Sequence, residues 1–322
     1  MAYVRGSSDD FDRYARVTED PGWSWDALQH YFRKVVTAFS TCHAGRACTH
    51  IDSDTKQNER WSPPTDGHDT NGQFDPRVHG FHGINSVSLY GFSVPDVDSR
   101  VAALTRERPD LFPFNLDINS GSPNGIGWQQ STIKHGKRSS SFTSYLASEY
   151  LARPNLHVLI NAQATRVLSH DKVFNAVEFS SSSRSGSLET PKLLMNSGIG
   201  DSEELSSHGI QPVMCLPDVG KNLSVHVGLG INYFVNSTDT ADDLLRNATL
   251  REEMAQQWKN DNGAGRLGGN VVLYQAFFRL PDDAAIFQSQ TDPSAGPNTP
   301  HLVGDIQVVN VPFDSRDRHI LM

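Results

Sequence analysis

Long apolar runs are missing from this sequence. Nothing in its 322 residues approaches the roughly 20 consecutive apolar positions of a membrane-spanning helix, so no membrane partner is expected. The opening residues, Met1-Ala2-Tyr3-Val4-Arg5-Gly6, lack the apolar core of a secretory leader. Positive charge is short as well: 28 Lys and Arg face 37 Asp and Glu, the formal net charge is −9, and no Lys/Arg cluster interleaved with aromatics occurs. That balance gives no field for a phosphate backbone and argues against nucleic acid as a partner. Cysteine is scarce. Cys42, Cys48 and Cys215 are too few for a disulfide framework, and an odd number leaves at least one unpaired within the chain. No G-x-S-x-G occurs to seat a hydrolase serine.

What is present is an ordinary globular mixture, 37% hydrophobic and 20% charged, enough for one large core or two smaller ones. The run from Gly22 to Lys34 places Trp25, Leu28, Tyr31 and Phe32 at helical spacing, behind Ser24 and Asp26 as caps. Further helices are predicted for Val97 to Arg106, Ser139 to Leu151, Thr190 to Asn196, Ser202 to Ser207 and Leu250 to Lys259. Short β-branched runs predict strands at Leu156 to Ile160, Thr165 to Leu168 and Val173 to Phe179, a longer one at Asn270 to Leu280, and a last one at Ile306 to Val311. Residues 35 to 80 read as loop. Three sequons, at Asn222, Asn236 and Asn247, would suit a secreted surface.

Two motifs invite over-reading. Gly263-Ala264-Gly265-Arg266-Leu267-Gly268 is a literal GxGxxG, but a phosphate-binding version needs a strand before it and a helix after it, whose N-terminus offers free N–H groups. Here a helical pattern precedes and a strand follows, so a plain turn is expected. Cys42, His43, Cys48 and His50 are ligand types that zinc accepts, yet their spacing matches no established finger, so no metal is assigned.

The specific pattern runs from Gly186 to Gly200: Gly186-Ser187-Leu188-Glu189-Thr190-Pro191-Lys192-Leu193-Leu194-Met195-Asn196-Ser197-Gly198-Ile199-Gly200. Thr190 can cap and Pro191 can start a short helix, Leu193 and Leu194 can bury one face, and Gly198 and Gly200 can stop it while letting backbone approach closely. At every position the run resembles the second signature of the glucose-methanol-choline oxidoreductase family. In the order of that family follow Tyr3-Val4-Arg5-Gly6-Ser7, Gly22-Trp23-Ser24-Trp25-Asp26, Gly125-Ile126-Gly127, Arg138-Ser139-Ser140 and Leu216-Pro217-Asp218-Val219-Gly220. Val158 to Gln163 and the 286–301 segment resemble the aryl-alcohol oxidases most.

The resemblance implies an α/β (mixed α+β) fold, a partial FAD-binding Rossmann-like domain interleaved with a substrate-binding domain built on an antiparallel sheet with flanking helices. Residues 1–230 would be an incomplete N-terminal FAD-binding region and 231–322 the beginning of the substrate-binding domain. Within the first, 35–57 reads as an insertion from a retained intron, because joining Lys34 to Asn58-Glu59-Arg60-Trp61 restores the family pattern. The implied activity is FAD-dependent oxidation of the CH–OH group of a small-molecule alcohol, aryl-alcohol oxidase-like, in an extracellular setting. Cofactor contacts carried over are Ala164, at the position whose backbone meets the adenine, and Tyr3, Arg5 and Gly6, where the chain leaves the flavin site. No residue here is assigned as catalytic, since the family's catalytic His is expected beyond Met322, and His226, His301 and His319 stand in no matching context. The competing reading is a non-catalytic fragment or pseudoenzyme of the same family, without the dinucleotide glycine motif and that histidine. Oligomeric state is not legible.

Overall fold

The computed structural model describes residues 2–32, 59–92, 94–170, 173–181, 187–223, 247–269 and 272–307. The chain divides into two compact units, Met1–Ala147 with Asn232–Met322, and Ser148–Ile231. It is a mixed α/β fold whose longer ladders are antiparallel.

In the first unit, helix α1 (Ser8–Thr18) starts where the Ser7 hydroxyl accepts the Asp10 amide at 3.2 Å. Asp9 and Asp10 lie in its positive first turn and Arg16 in its last, the arrangement the helix dipole favours. Its Phe11 meets Trp25 and Phe32 of α2 (Trp25–Phe32) at ring separations of 5.7 and 5.5 Å. Strands β1 (Glu59–Trp61) and β2 (Asn85–Val87) pair in parallel. Pro95 opens α3 (Pro95–Glu107), a position where its missing N–H costs nothing. Strand β3 (Gly125–Trp128) joins a three-stranded antiparallel sheet ordered β11-β10-β3, whose centre is β10 (Val272–Phe278) and whose other edge is β11 (Leu302–Gln307). Val97, Val101 and Leu104 of α3, spaced four and three apart, pack with Ile126, Tyr274 and Ala276 in the main core. A second cluster holds Trp61, Val87 and Leu89 with Tyr3, Phe74 and Trp128, and Trp61 stacks on Phe74 at 3.9 Å.

Strands β4 (Ile133–Lys134) and β5 (Lys137–Arg138) turn through His135 and Gly136, both at positive φ as a tight hairpin turn requires. Helix α4 (Ser141–Tyr145) begins in a capping box between Ser140 and Thr143, and helix α8 (Ala248–Asn260) begins where the Asn247 side chain accepts the Leu250 amide.

In the second unit, after the short α5 (Ser148–Leu151), β6 (Ala162–His170) and β7 (Val173–Ser181) form an antiparallel hairpin. Helix α6 (Thr190–Asn196) leads through Gly198 into β8 (Ile199–Gly200), which pairs in parallel with β9 (Met214–Cys215) beyond α7 (Ser202–Ser207). Gly198 has φ +79°, and a Cβ there would sit 2.6 Å from the Gln211 carbonyl oxygen, so the signature's glycine is demanded by geometry.

Four predictions differ, the first being the loop expected over 35–80, within which Glu59–Trp61 forms β1 because it pairs with β2. The single helix over Ser139 to Leu151 is two short helices, because serine and threonine hydroxyls form caps in place of helix interior. Leu156 to Ile160 forms no strand, since no partner strand pairs with it among the described residues and Leu159 and Ile160 are 63% and 73% exposed. The last strand starts earlier, at Leu302, and residues 308–311 lie outside the described residues. The segment 35–57 also lies outside them.

Candidate functional site

The segment Tyr3 to Ser7 is anchored by its own backbone. The Tyr3 amide donates to the Gln130 carbonyl at 2.8 Å, the Arg5 amide to Asn119 Oδ1 at 2.6 Å, and Asn119 Nδ2 returns a bond to the Tyr3 carbonyl at 3.1 Å. Gly6 follows at φ +102°, a conformation side chains resist, and Ser7 then caps α1.

The Arg5 side chain enters a buried ionic cluster. Its Nη2 donates to Glu59 Oε2, its Nε to the Tyr3 hydroxyl at 3.2 Å and its Nη1 to the Val78 carbonyl at 3.0 Å. The second oxygen of Glu59 bonds His79 Nδ1, and His79 Nε2 bonds Asp117 Oδ2 at 2.7 Å. Asp117 is itself held by the Asp75 and Asn119 amides, at 3.0 and 2.9 Å. The side chains of Arg5, Glu59, His79 and Asp117 are at most 2% exposed. Two cations then face two carboxylates, a neutral balance that offsets part of the desolvation of each. Burial works against a charged His79 ring, but the hydrogen bonds and charges of Asp117 and Glu59 outweigh it and raise its pKa. Burial and then the Glu59 charge push the Tyr3 hydroxyl up to about 12, so it stays protonated. With Arg5 and His79 fully engaged, the cluster acts as a clamp on Tyr3 to Ser7 and holds no nucleophile or open ligand position.

Beside it runs a buried polar row. Gln129, Gln130 and Ser131 are at most 1% exposed, and Gln129 Oε1, Gln130 Nε2, Ser131 Oγ, Thr132 Oγ1 and Ser86 Oγ have no hydrogen-bond partner among the described residues. Each such atom costs about 1–3 kcal/mol when left unmet, so this row fits a polar group lying along it.

Ala164 lies in the second unit, apart in sequence from Tyr3, Arg5 and Gly6 in the first. It is exposed on β6, opposite Phe179, at a register shift between Ala164 and Arg166 that takes Thr165 out of the ladder. Among the described residues β6 has β7 as its one strand neighbour, and the end of α6 bonds part of its remaining backbone, Asn196 Nδ2 donating to the Thr165 carbonyl at 3.5 Å. The signature helix is tied to the same strand by Ser197 Oγ, which accepts the Val167 amide at 2.8 Å.

The GxGxxG motif is a turn. Helix α8 precedes it, Arg266–Gly268 is a 3-10 turn and β10 follows. Its glycines serve packing: a Cβ on Gly263 would lie 2.2 Å from the His135 carbonyl, and one on Gly268 1.9 Å from the Gly263 carbonyl. Cys42 to His50 lie outside the described residues, and among the described residues no group of three His, Cys, Asp or Glu could hold a metal. His301 is structurally committed, accepting the Leu280 amide at Nδ1 (2.9 Å) and donating from Nε2 to Asp292 Oδ1 (2.9 Å). His226 and His319 lie outside the described residues. Sequence reasoning missed Glu59, His79, Asp117 and Asn119. One signal was available: period-two alternation puts Glu59 on the buried face with Trp61, and a carboxylate there needs a cation.

Residues 109–228 match the family model described as GMC oxidoreductase. A dehydrogenase of Hericium erinaceus is 33% identical over 94% of this chain and 50% of its own length. Pyranose dehydrogenase 3 of Leucoagaricus meleagris is 32% identical over 94% of this chain and 47% of its own. The chain thus spans about half the length of the curated relatives it matches. Among solved structures, a fungal aryl-alcohol oxidase superposes with a TM-score of 0.66 at 18% identity, over 87% of this chain and 47% of that one, a likeness of fold.

Proposed function

Because the chain belongs to the GMC (glucose-methanol-choline) oxidoreductase family, we propose that it forms part of an FAD-dependent oxidoreductase acting on the CH–OH group of alcohols. The observation that carries this reading is the family match over residues 109–228, which takes in α6 and its Ser197-Gly198 ending. Bound FAD would supply the acceptor for the hydride that leaves the carbinol carbon.

The residues of this chain bind and orient. Ala164 offers its backbone at the edge of β6 to the adenine, and the clamped run from Tyr3 to Gly6 contributes main chain, because the Arg5 guanidinium is committed to Glu59, Tyr3 and Val78. The polar row from Gln129 to Thr132 would supply side-chain hydrogen bonds beside that run. The substrate class proposed is an aryl alcohol, from the resemblance of Val158 to Gln163 and of the 286–301 segment, and the setting proposed is extracellular. A second reading, a sugar CH–OH donor, is favoured by the relative named pyranose dehydrogenase.

The test is flavin binding by the purified chain, followed by reduction. Incubation with FAD and gel filtration should give a protein-bound flavin that bleaches when 4-methoxybenzyl alcohol is added without air. Flavin that elutes free sinks the reading. Bleaching by D-glucose and not by the aromatic alcohol moves the substrate to sugars.

A further inference from the structure

Of the three sequons, those of Asn222 and Asn236 run outside the described residues, the first at Ser224 and the second throughout. Asn247-Ala248-Thr249 is described in full, and all three residues are exposed. It stands where extended backbone, at φ −100° and ψ 100° on Asn247, passes into helix α8.

The Asn247 side chain carries one oxygen and one nitrogen, and the fold uses the first. Its Oδ1 accepts the Leu250 amide at 3.0 Å and so meets one of the unpaired donors at the start of α8. No acidic residue lies in the first turn to complement the helix dipole, which leaves that end to this cap. Nδ2 donates to nothing among the described residues. Asn119 is the contrasting case, with its Nδ2 bonded to the Tyr3 carbonyl and to Gln130 Oε1. An N-linked glycan attaches at the amide nitrogen and leaves the carbonyl oxygen an acceptor. At Asn247 a glycan and a helix cap therefore make no rival demands on the side chain.

We propose that Asn247 is an N-glycosylation site, its Nδ2 carrying a glycan that begins with N-acetylglucosamine while its Oδ1 goes on capping α8. In the transfer, Nδ2 forms a bond to the anomeric carbon of a lipid-linked sugar and gives up one proton. The bond from that carbon to pyrophosphate breaks, and lipid pyrophosphate leaves. Thr249 supplies the hydroxyl that the triplet requires. Because α8 holds Ala248 and Thr249 in helix, the transfer belongs to the nascent chain, and the fold contributes an exposed place for the product. The proposal rests on the extracellular setting proposed above, since only a chain in the secretory route meets the transferase.

The test secretes the 322-residue chain from a eukaryotic host behind an added leader, so its failure concerns the site and not the setting. Peptide-N-glycosidase acts on the denatured product in heavy-oxygen water, and trypsin, cutting after Arg246 and Arg251, then releases the peptide that begins at Asn247. The expected result is a heavy-oxygen aspartate at position 247. Thr249→Val should abolish the label and Thr249→Ser should keep it, which separates enzymatic release from spontaneous deamidation. Asn247→Asp keeps a capping oxygen and should melt a few degrees above Asn247→Ala, although both lack the glycan. An unlabelled peptide overturns the proposal, whether or not Asn222 and Asn236 carry glycans. So does label that survives in Thr249→Val, and equal melting of Asn247→Asp and Asn247→Ala overturns the shared use of the side chain.

Discussion

His79 Nε2 donates to Asp117 Oδ2 at 2.7 Å, while its other ring nitrogen is bonded to Glu59, so both nitrogens face carboxylates. A ring in that position donates twice only as the imidazolium, and the pair of carboxylates raises its pKa above the ordinary 6.5 despite burial.

The first prediction follows from the sign of that shift. Below the ordinary value the ring is charged in both folded and unfolded chains, and its stabilisation is fully present. As pH rises past 6.5 the unfolded chain releases the proton while the folded one holds it, and the contribution fades through the raised folded pKa. Urea midpoints measured from about pH 6 to about pH 9 should fall for the wild type relative to His79→Gln. Parallel profiles for the two proteins would show that His79 does not titrate as argued.

The second prediction concerns the Arg5–Glu59 pair, whose side chains are 2% exposed. Arg5→Ala strands Glu59 beside His79 and should cost about 3–5 kcal/mol in denaturant unfolding. Arg5→Lys should recover only part of that, because an ammonium cannot reach Glu59, the Tyr3 hydroxyl and the Val78 carbonyl together as the planar fork does. If the double variant Arg5→Met with Glu59→Gln is as unstable as the losses of Arg5→Met and of Glu59→Gln added, the two residues are not coupled.

Legibility in the sequence tracked how local each cause was. Helix α6 was readable because Pro191, its apolar face and its glycine stop all lie close together in the chain, although Thr190, expected as its cap, is its first helical residue and Glu189 holds the cap position without a side-chain bond. The run Leu156 to Ile160 was misread because β-branched composition makes a strand only when a neighbour supplies the ladder, and no local pattern announces that neighbour. The clamp was harder still. Arg5 and Glu59 are 54 residues apart and Glu59 and Asp117 meet only through His79, so only the fold brings the charges together. The Arg5 side chain, expected from the resemblance near a cofactor, is turned into the protein toward Glu59.

The third prediction separates packing from phosphate binding at the GxGxxG turn. Gly263 has φ +88°, and a Cβ there would lie 2.2 Å from the His135 carbonyl. Gly263→Ala should therefore destabilise by about 2–4 kcal/mol, overpacking added to left-handed strain. Gly209 has φ +71° with open space around it, so Gly209→Ala carries the strain alone, about 1 kcal/mol. Both should leave flavin or nucleotide binding per folded molecule unchanged. A loss of ADP binding in Gly263→Ala at undiminished stability would restore the motif as a phosphate site.

The last prediction addresses the β6–β7 hairpin. Val173 and Val177 are 63% and 54% exposed on β7, a strand whose outer edge has no partner among the described residues. An apolar, β-branched edge of this kind recruits other chains, and a lysine placed on it is the usual deterrent. Val177→Lys should raise the fraction of purified chain that stays monomeric in sedimentation, and it should leave the melting temperature within the narrow range expected of a surface change, about 0.5 kcal/mol. A large drop in melting temperature would mean that Val177 is packed within the folded chain, and unchanged aggregation would mean that association proceeds through some other surface.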